Sequence, residues 1–508
     1  MNRGDVPGYE FEVPRGPRQA SGPRYASEHE QTRQFPREQL QFPREQPQFQ
    51  REQPQFQREQ LRFQREQPEE EPRSSAREAG SGLLTIMRKR NWLMGVAVPI
   101  LAAIIVGIAV VVVTGGGGNG GAAPSALAAG FSPARLAGAS FTGNAGTSRV
   151  VLAAIGASAG TEVVAGGVSG GPAVWVSPDG GDTFARATLG GLTAMTKAGT
   201  GQLAGVAHGA AGWLAVGTTL AGKGGPLVAS SPDAHTWTVT GGIANAGGHD
   251  TVAAAVAAGT AGYVIVGHEA AGNSGTTVAA AWYSPGLTEF QSATVTEQEQ
   301  PGTAGGQMMN AVTAMARGFV AVGTSGTRPA AWVSAAGRTW QQVEVPMPAS
   351  AARAALDYVA ASGSNVVAAG TEFSATGVSS PFAEVSADSG ATWTPVQLPV
   401  PDIGLGTGTT VTALTAAAGG FTAVGTYVTK AGPEVVVWTL PSTSPVTAAW
   451  TAVTPQGTGL ANTTSENTIT ALAADGATLT GVGFTAALTA SGTPGAQQPT
   501  LWQSPIRY

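Results

Sequence analysis

The sequence predicts an all-β domain, a seven-bladed β-propeller, set behind a polar tail and a single apolar span. Three observations carry this. An apolar strand ending in glycine recurs seven times, at Gly166, Gly217, Gly267, Gly323, Gly370, Gly425 and Gly483. A second strand-like run follows each one: PAVWVS, PLVASS, AAWYS, PAAWVS, PFAEVS, EVVVW and PTLWQS. The repeat is about 50 residues long, within the span of propeller blades.

Composition narrows the class. Glycine is 72 of 508 residues and charged residues are 12%, which excludes a long helical bundle. Small residues, threonine and valine between regular glycines favour many short strands. The chain has no cysteine, so disulfides, thiolate chemistry and cysteine-based zinc sites are excluded. The net charge of −5 hides a split: residues 1–91 hold 16 Lys/Arg and 14 Asp/Glu, residues 120–508 hold 11 and 18. Neither half has the concentrated basic patch that nucleic-acid binding needs.

Residues 1–82 are polar and rich in Pro, Gln, Arg and Glu. Phe35, Phe42, Phe49, Phe56 and Phe63 recur every seven residues in F-[PQ]-R-E-Q units. A coiled coil needs two apolar positions per heptad, and each unit has one. Pro36, Pro43, Pro47 and Pro54 would break a helix here. The tract reads as a disordered cytoplasmic tail, with a multivalent tail engaging a cytoplasmic protein as the sharper reading.

Residues 92–113 form an uncharged apolar run long enough to cross a bilayer as a helix. Arg88-Lys89-Arg90 precedes it and no basic residue follows until Arg135. The positive-inside rule then places the N-terminus in the cytoplasm and the C-terminal domain outside. The preceding region is too long for a cleaved signal peptide, so an uncleaved signal anchor is expected. Residues 114–130 contain Gly115-Gly116-Gly117-Gly118-Asn119-Gly120-Gly121. No Lys-Ser/Thr follows to make a phosphate loop, and the run reads as a tether.

Residues 131–508 are the extracytoplasmic propeller. Ala-rich first strands, such as 251–258 and 410–416, would lie nearest the axis. Outer strands are marked by Phe184, Trp237, Phe290, Trp340, Trp393 and Trp450, six for seven blades. Four residues follow Ser504, too few for a full outer strand. Blade seven would therefore take its outer strand from the N-terminal side. The best candidate is 134–141, paired with 499–504.

Between third and outer strands lies a hairpin motif. Its fullest copies are Ser177-Pro178-Asp179-Gly180-Gly181-Asp182-Thr183-Phe184 and Ser386-Ala387-Asp388-Ser389-Gly390-Ala391-Thr392-Trp393. Ser231, Asp233, Thr236 and Trp237 keep a shorter version. Ser334, Gly337, Thr339 and Trp340 keep one without the Asp, and Ser284-Pro285-Gly286-Leu287-Thr288-Glu289-Phe290 a third partial copy. Ser and Asp side chains close such turns on backbone N–H groups, and Gly permits positive φ. The stretches resemble the Asp-box of bacterial neuraminidase repeats, found in sialidase and sortilin-type propellers. The resemblance implies a structural element and not an activity.

Chemistry in the domain is sparse. Sialidases, by the same resemblance, would require three convergent arginines, a Tyr–Glu pair, an Asp and an Arg-Ile-Pro element. This chain lacks Arg-Ile-Pro, and its eight arginines beyond the span are Arg135, Arg149, Arg186, Arg317, Arg328, Arg338, Arg353 and Arg507. Gly167-Val168-Ser169-Gly170-Gly171 matches G-x-S-x-G, but a strand follows where a nucleophile elbow needs a helix. His208, His235, His249 and His268 form no ligand-spaced pair. Trp175, Trp282, Trp332, Trp438 and Trp502 recur in register and read as core.

No catalytic residue, cofactor or metal is therefore expected. The sequence is read as a single-pass membrane protein whose propeller is a binding or scaffold module of the cell envelope, its ligand an extracytoplasmic protein or glycan. The alternatives are a sialidase-like glycoside hydrolase and an envelope sensor acting through the tail.

Overall fold

Each of the seven repeats folds as an antiparallel sheet whose strands follow chain order from the axis outward. The computed structural model describes residues 132–133 and residues 149–505, apart from 192–200, 220–224, 242, 244–249, 273–275, 297–304, 401–407, 418–419, 430–431, 442–445, 455–459, 461–464 and 490–493. The tail, the apolar span and the Gly-rich tether lie outside the described residues. Among those described, no helix is long and apolar enough to cross a membrane.

The first strands are Val150–Ser158, Gly201–Gly209, Thr251–Gly259, Gln307–Ala314, Arg353–Ser362, Thr410–Ala417 and Ser465–Asp475, one for each of blades one to seven. Each is in contact with the next, and the seventh with the first. They form the inner ring. Blades pack face to face through seven apolar clusters, one per seam. The third-strand tryptophans Trp175, Trp282, Trp332, Trp438 and Trp502 are fully buried in these clusters, as the sequence register implies. Their burial follows from sheet alternation: in PAVWVS-type strands every other residue faces the neighbouring blade.

The recurrent glycines do not end the second strands, contrary to the expectation from sequence. The strand holding Gly166 runs Thr161–Val168, and the one holding Gly370 runs Asn365–Phe373. What sits opposite each glycine is a β-bulge in the first strand. The pairing skips one residue in every blade: Ala153, Ala204, Ala254, Asn310, Asp357, Thr412 and Thr470. The bulge drives a first-strand carbonyl onto the glycine. A Cβ on Gly166 would lie 1.9 Å from the Val151 oxygen, and one on Gly483 1.8 Å from that of Thr468. Only a residue without a side chain fits there.

The ring closes much as the missing outer strand implies. Blade seven has three strands of its own, ending with Pro494–Pro505, and its fourth is Ser132–Pro133. Ser132 pairs with Gln503 and Pro133 with Trp502, antiparallel. The sequence pointed a little later, to 134–141, which lie outside the described residues. Closure is reinforced across the blade one–seven seam. The Gly160 N–H donates to Asp475 Oδ2 at 2.7 Å, Thr480 Oγ1 to Glu162 Oε1 at 2.7 Å and Gln503 Nε2 to the Gly180 carbonyl at 2.9 Å. Deleting residues 131–142 is expected to lower the melting temperature sharply and promote self-association through the bared edge. Deleting 115–121 should leave melting unchanged. Equal melting of both with the full chain would remove the clasp.

Two features have no counterpart in the sequence reading. Leu189–Gly190 joins the outer strand of blade two, and Thr294–Thr296 that of blade four, both in parallel. These short segments precede their blades in the chain and cover the outer edges. The G-x-S-x-G stretch is a two-residue hairpin: Ser169 and Gly170 have φ of 49° and 84° between strands Thr161–Val168 and Gly171–Ser177.

Candidate functional site in the axial cavity

The seven skipped residues all face one space. A cavity of about 290 Å³ lies on the axis, and Ala153, Ala204, Ala254, Asn310, Asp357, Thr412 and Thr470 each line it. The bulges thus do for this site what bulges do generally: they re-aim one side chain per strand. The result is an unequal ring. Blades one to three contribute alanine, and blades four to seven contribute Asn, Asp, Thr and Thr.

The polar half is partly self-satisfied. Asn310 Nδ2 donates to Asp357 Oδ1 and to the Leu356 carbonyl, both at 3.1 Å. Thr470 Oγ1 lies 2.8 Å from the Leu152 carbonyl and 3.0 Å from that of Val482, and Thr412 Oγ1 3.3 Å from that of Val424. Asp357 keeps some surface open to the cavity, although protein encloses it on all sides. Burial pushes its carboxyl up to about 6, against a smaller downward pull from the Asn310 amide. It is mostly ionised at pH 7. Burial, with the Asp357 charge beside it, pushes the Tyr358 phenol well above its ordinary value.

On the other side the wall is unsatisfied. His268, on strand Gly262–Ala270, is 5% exposed, and neither ring nitrogen has a hydrogen-bond partner. Burial pushes it down to about 4, so it is neutral at pH 7. Gln202 Nε2 is also buried without a partner. Arg149 and Gln497 line the cavity and are exposed. Buried groups without partners are uncommon in folded proteins, and two of them share this wall.

The motif residues picked from the sequence lie elsewhere. None of Ser177, Asp179, Gly181, Thr183, Phe184, Ser231, Asp233, Thr236, Trp237, Ser334, Gly337, Thr339, Trp340, Ser386, Asp388, Gly390, Thr392 or Trp393 lines the cavity. They build the hairpins between third and outer strands. In blade five, Ser386 Oγ donates to Asp388 Oδ1 at 2.7 Å and accepts from the Gly390 N–H at 2.8 Å. Asp388 also accepts from the Thr392 N–H at 2.9 Å and hydroxyl at 2.7 Å. Blade one repeats the pattern: Gly181 N–H to Ser177 Oγ at 2.8 Å, Thr183 N–H to Asp179 Oδ1 at 2.9 Å, and Thr183 Oγ1 to Asp179 Oδ2. Against an opposing burial effect, largest at Asp179, these donors hold the Asp179 and Asp388 carboxyls below their ordinary range, and the Thr236 and His235 N–H groups do the same for Asp233. The turn glycines have a second duty. Gly337 and Gly390 have φ of 77° and 83°, and a Cβ there would meet Val264 at 2.3 Å and Val320 at 2.7 Å, both on the preceding blade.

The described arginines beyond the span do not converge. Arg149 is the one that lines the cavity among the described residues. Arg186 and Arg338 lie at outer strands; Arg338 stacks 4.5 Å over the Tyr283 ring, and Arg353 4.0 Å over that of Phe373. Arg135, Arg507 and His249 fall outside the described residues. Among those described, no group of three His, Asp or Glu could hold a metal.

Sequence reasoning missed the cavity residues and two buried carboxyls, Glu162 and Glu384, both fully buried. Glu384 had a signal. In PFAEVS it occupies the place that tryptophan holds in PAVWVS and PAAWVS.

No family model and no curated protein matches the chain. Among solved structures, YCF48 from Cyanidioschyzon merolae is 11% identical, with a TM-score of 0.41, over 74% of this chain and 98% of that one. A protein of unknown function from Dyadobacter fermentans is 12% identical, with a TM-score of 0.38 and the same shares. Trypanosoma rangeli sialidase in complex with sialic acid is 12% identical, with a TM-score of 0.39, over 74% of this chain. The match spans 59% of that sialidase chain.

Proposed function

We propose that this chain is a membrane-anchored, extracytoplasmic binding module of the cell envelope, and that it binds in the axial cavity. One observation supports the site above all: His268 stands at the cavity wall, 5% exposed, with both nitrogens unpartnered. An occupant that completes those bonds would recover the cost of burying them. Val378 and Val400 are the exposed large apolar residues among those described, too few for an apolar docking face. The hairpins of blades one, four and five then act as Asp-boxes in the structural sense, each seated against the blade before it. The uncharged span at 92–113 after Arg88-Lys89-Arg90 supports the anchor and its orientation.

One experiment reads both halves. Spheroplasts bearing the wild-type chain or Ala254→Trp, which fills the cavity, are treated with external protease with and without an envelope extract. The propeller should be digested from outside, and the extract should slow digestion of the wild type alone. Full resistance of the propeller in unbroken spheroplasts would refute the orientation. Equal protection of the plugged variant, or none of either, would refute the site.

A further inference from the structure

We infer that the axial cavity takes a small zwitterion, its ammonium against Asp357 and its carboxylate against Gln202 and Arg149. The inference rests on the cavity being the binding site, as proposed above.

The cavity wall is polarised. Asp357 is the one carboxylate among the described lining residues, and Arg149 the one cation. Their blades place them apart. Asp357 belongs to blade five, Arg149 to blade one and Gln202 to blade two. Blade five is three blades from blade one in one direction and three from blade two in the other. That is as far across the axis as a sevenfold ring allows. One end of an occupant therefore meets an anion while the other meets a cation and an amide donor.

Each end is also incomplete. The hydrogen-bond partner of Asp357 is the neutral Asn310 amide on Oδ1, which leaves Oδ2 and most of the charge uncompensated. A ligand ammonium is the group that supplies both charge and donors. On the far side, Gln202 Nε2 is a buried donor with no acceptor. A carboxylate offers acceptors to it and to the Arg149 guanidinium together. His268, on the next blade, is neutral and carries one donor and one acceptor, so it can join either end. Between the poles the lining includes Ala254 and Leu414, with Thr412 and Thr470, whose hydroxyls already bond backbone carbonyls. That suits a short apolar middle and offers a sugar ring few polar partners.

Calorimetry on the full chain in detergent tests this with alanylalanine, its N-acetyl derivative and its C-terminal amide, all at millimolar concentration. The zwitterion should bind, and each blocked form should bind at least about tenfold more weakly. Asp357→Asn should lose the zwitterion by a similar factor and no longer distinguish it from the N-acetyl form. Gln202→Leu should weaken the zwitterion and leave the amide unchanged, which keeps the test alive should Asp357→Asn fold poorly. Absence of zwitterion binding, or equal binding of all three, overturns the ligand class. A neutral monosaccharide whose binding is abolished by Ala254→Trp would overturn the class but keep the site. Binding of any probe that Ala254→Trp leaves intact would overturn the site itself.

Discussion

Gly370→Ala should destabilise the propeller by about 4 kcal/mol or more, the range of severe core lesions. Glycine in a strand interior is normally a weakness, and replacing it by alanine normally stabilises by about 0.5–1 kcal/mol. Here the sign reverses. A Cβ on Gly370 would sit 1.8 Å from the Ala355 carbonyl oxygen and 2.8 Å from its carbon. Both atoms belong to the backbone of the inner strand, so no rotamer change relieves the clash. The first strand must flatten or shift, and its bulge at Asp357 must open. The same substitution should therefore also displace Asp357 from the cavity. Gly286→Ala is the matched control, because a Cβ added there would meet nothing within 4 Å. Denaturant melts of the two variants check the claim. If they unfold at the same midpoint, the bulge is not what requires the glycine.

Glu384→Gln should make the protein more stable at pH 9 by an amount on the order of 4 kcal/mol, with little change at pH 4.5. Glu384 is fully buried and neither carboxyl oxygen has a hydrogen-bond partner. Burial pushes it from an ordinary 4.5 up to about 8. The folded state thus keeps a proton that the unfolded chain releases. Its contribution is complete below pH 4.5 and is lost as pH rises through about 8. Glu162 acts in the same sense: burial raises it to about 7 against the Thr480 hydrogen bond, with the Asp475, Asp179 and Asp182 charges adding to the rise. Asp357 does so up to about 6. His268 opposes them, since its depressed value removes stability as pH falls from 6.5 towards 4. The lowered Asp179, Asp233 and Asp388 lose their contributions as pH falls further. The wild type should accordingly weaken as pH rises from about 4.5 to about 8, and Glu384→Gln should flatten that limb. Parallel limbs for the two proteins would show that Glu384 is not the group responsible.

The fold was legible because its signals repeat. Seven glycines, seven third strands and the tryptophans within them record the same constraint in blade after blade, and the gap in the count of outer strands pointed to closure. The role of the glycines was not legible. A strand end and a bulge seat both select glycine, and only the pairing register separates them. The cavity was hidden for a different reason. Asn310, Asp357, Thr412 and Thr470 occupy one ring position, but each residue type occurs once or twice, so no motif marks them. Gln202 and His268 come from strands of neighbouring blades, about 65 residues apart in the chain, and share a wall only through blade packing. Glu384 was readable as the glutamate in a tryptophan column. The Asp-type hairpins drew attention first because they are local, and they proved remote from the axis.

The clasp at Ser132–Pro133 also sets how the ring answers a pull. Tension arriving along the chain from residue 131 reaches the two-residue ladder with Trp502 and Gln503 before it reaches blade one. That ladder is the shortest in its sheet, and its rungs would yield one after the other. Once they part, the load passes along the chain to Val150–Ser158. The Gly160–Asp475 and Thr480–Glu162 bonds still hold blades one and seven together at that stage. The clasp is thus the first contact such a load would part, ahead of the bonds that join blades one and seven.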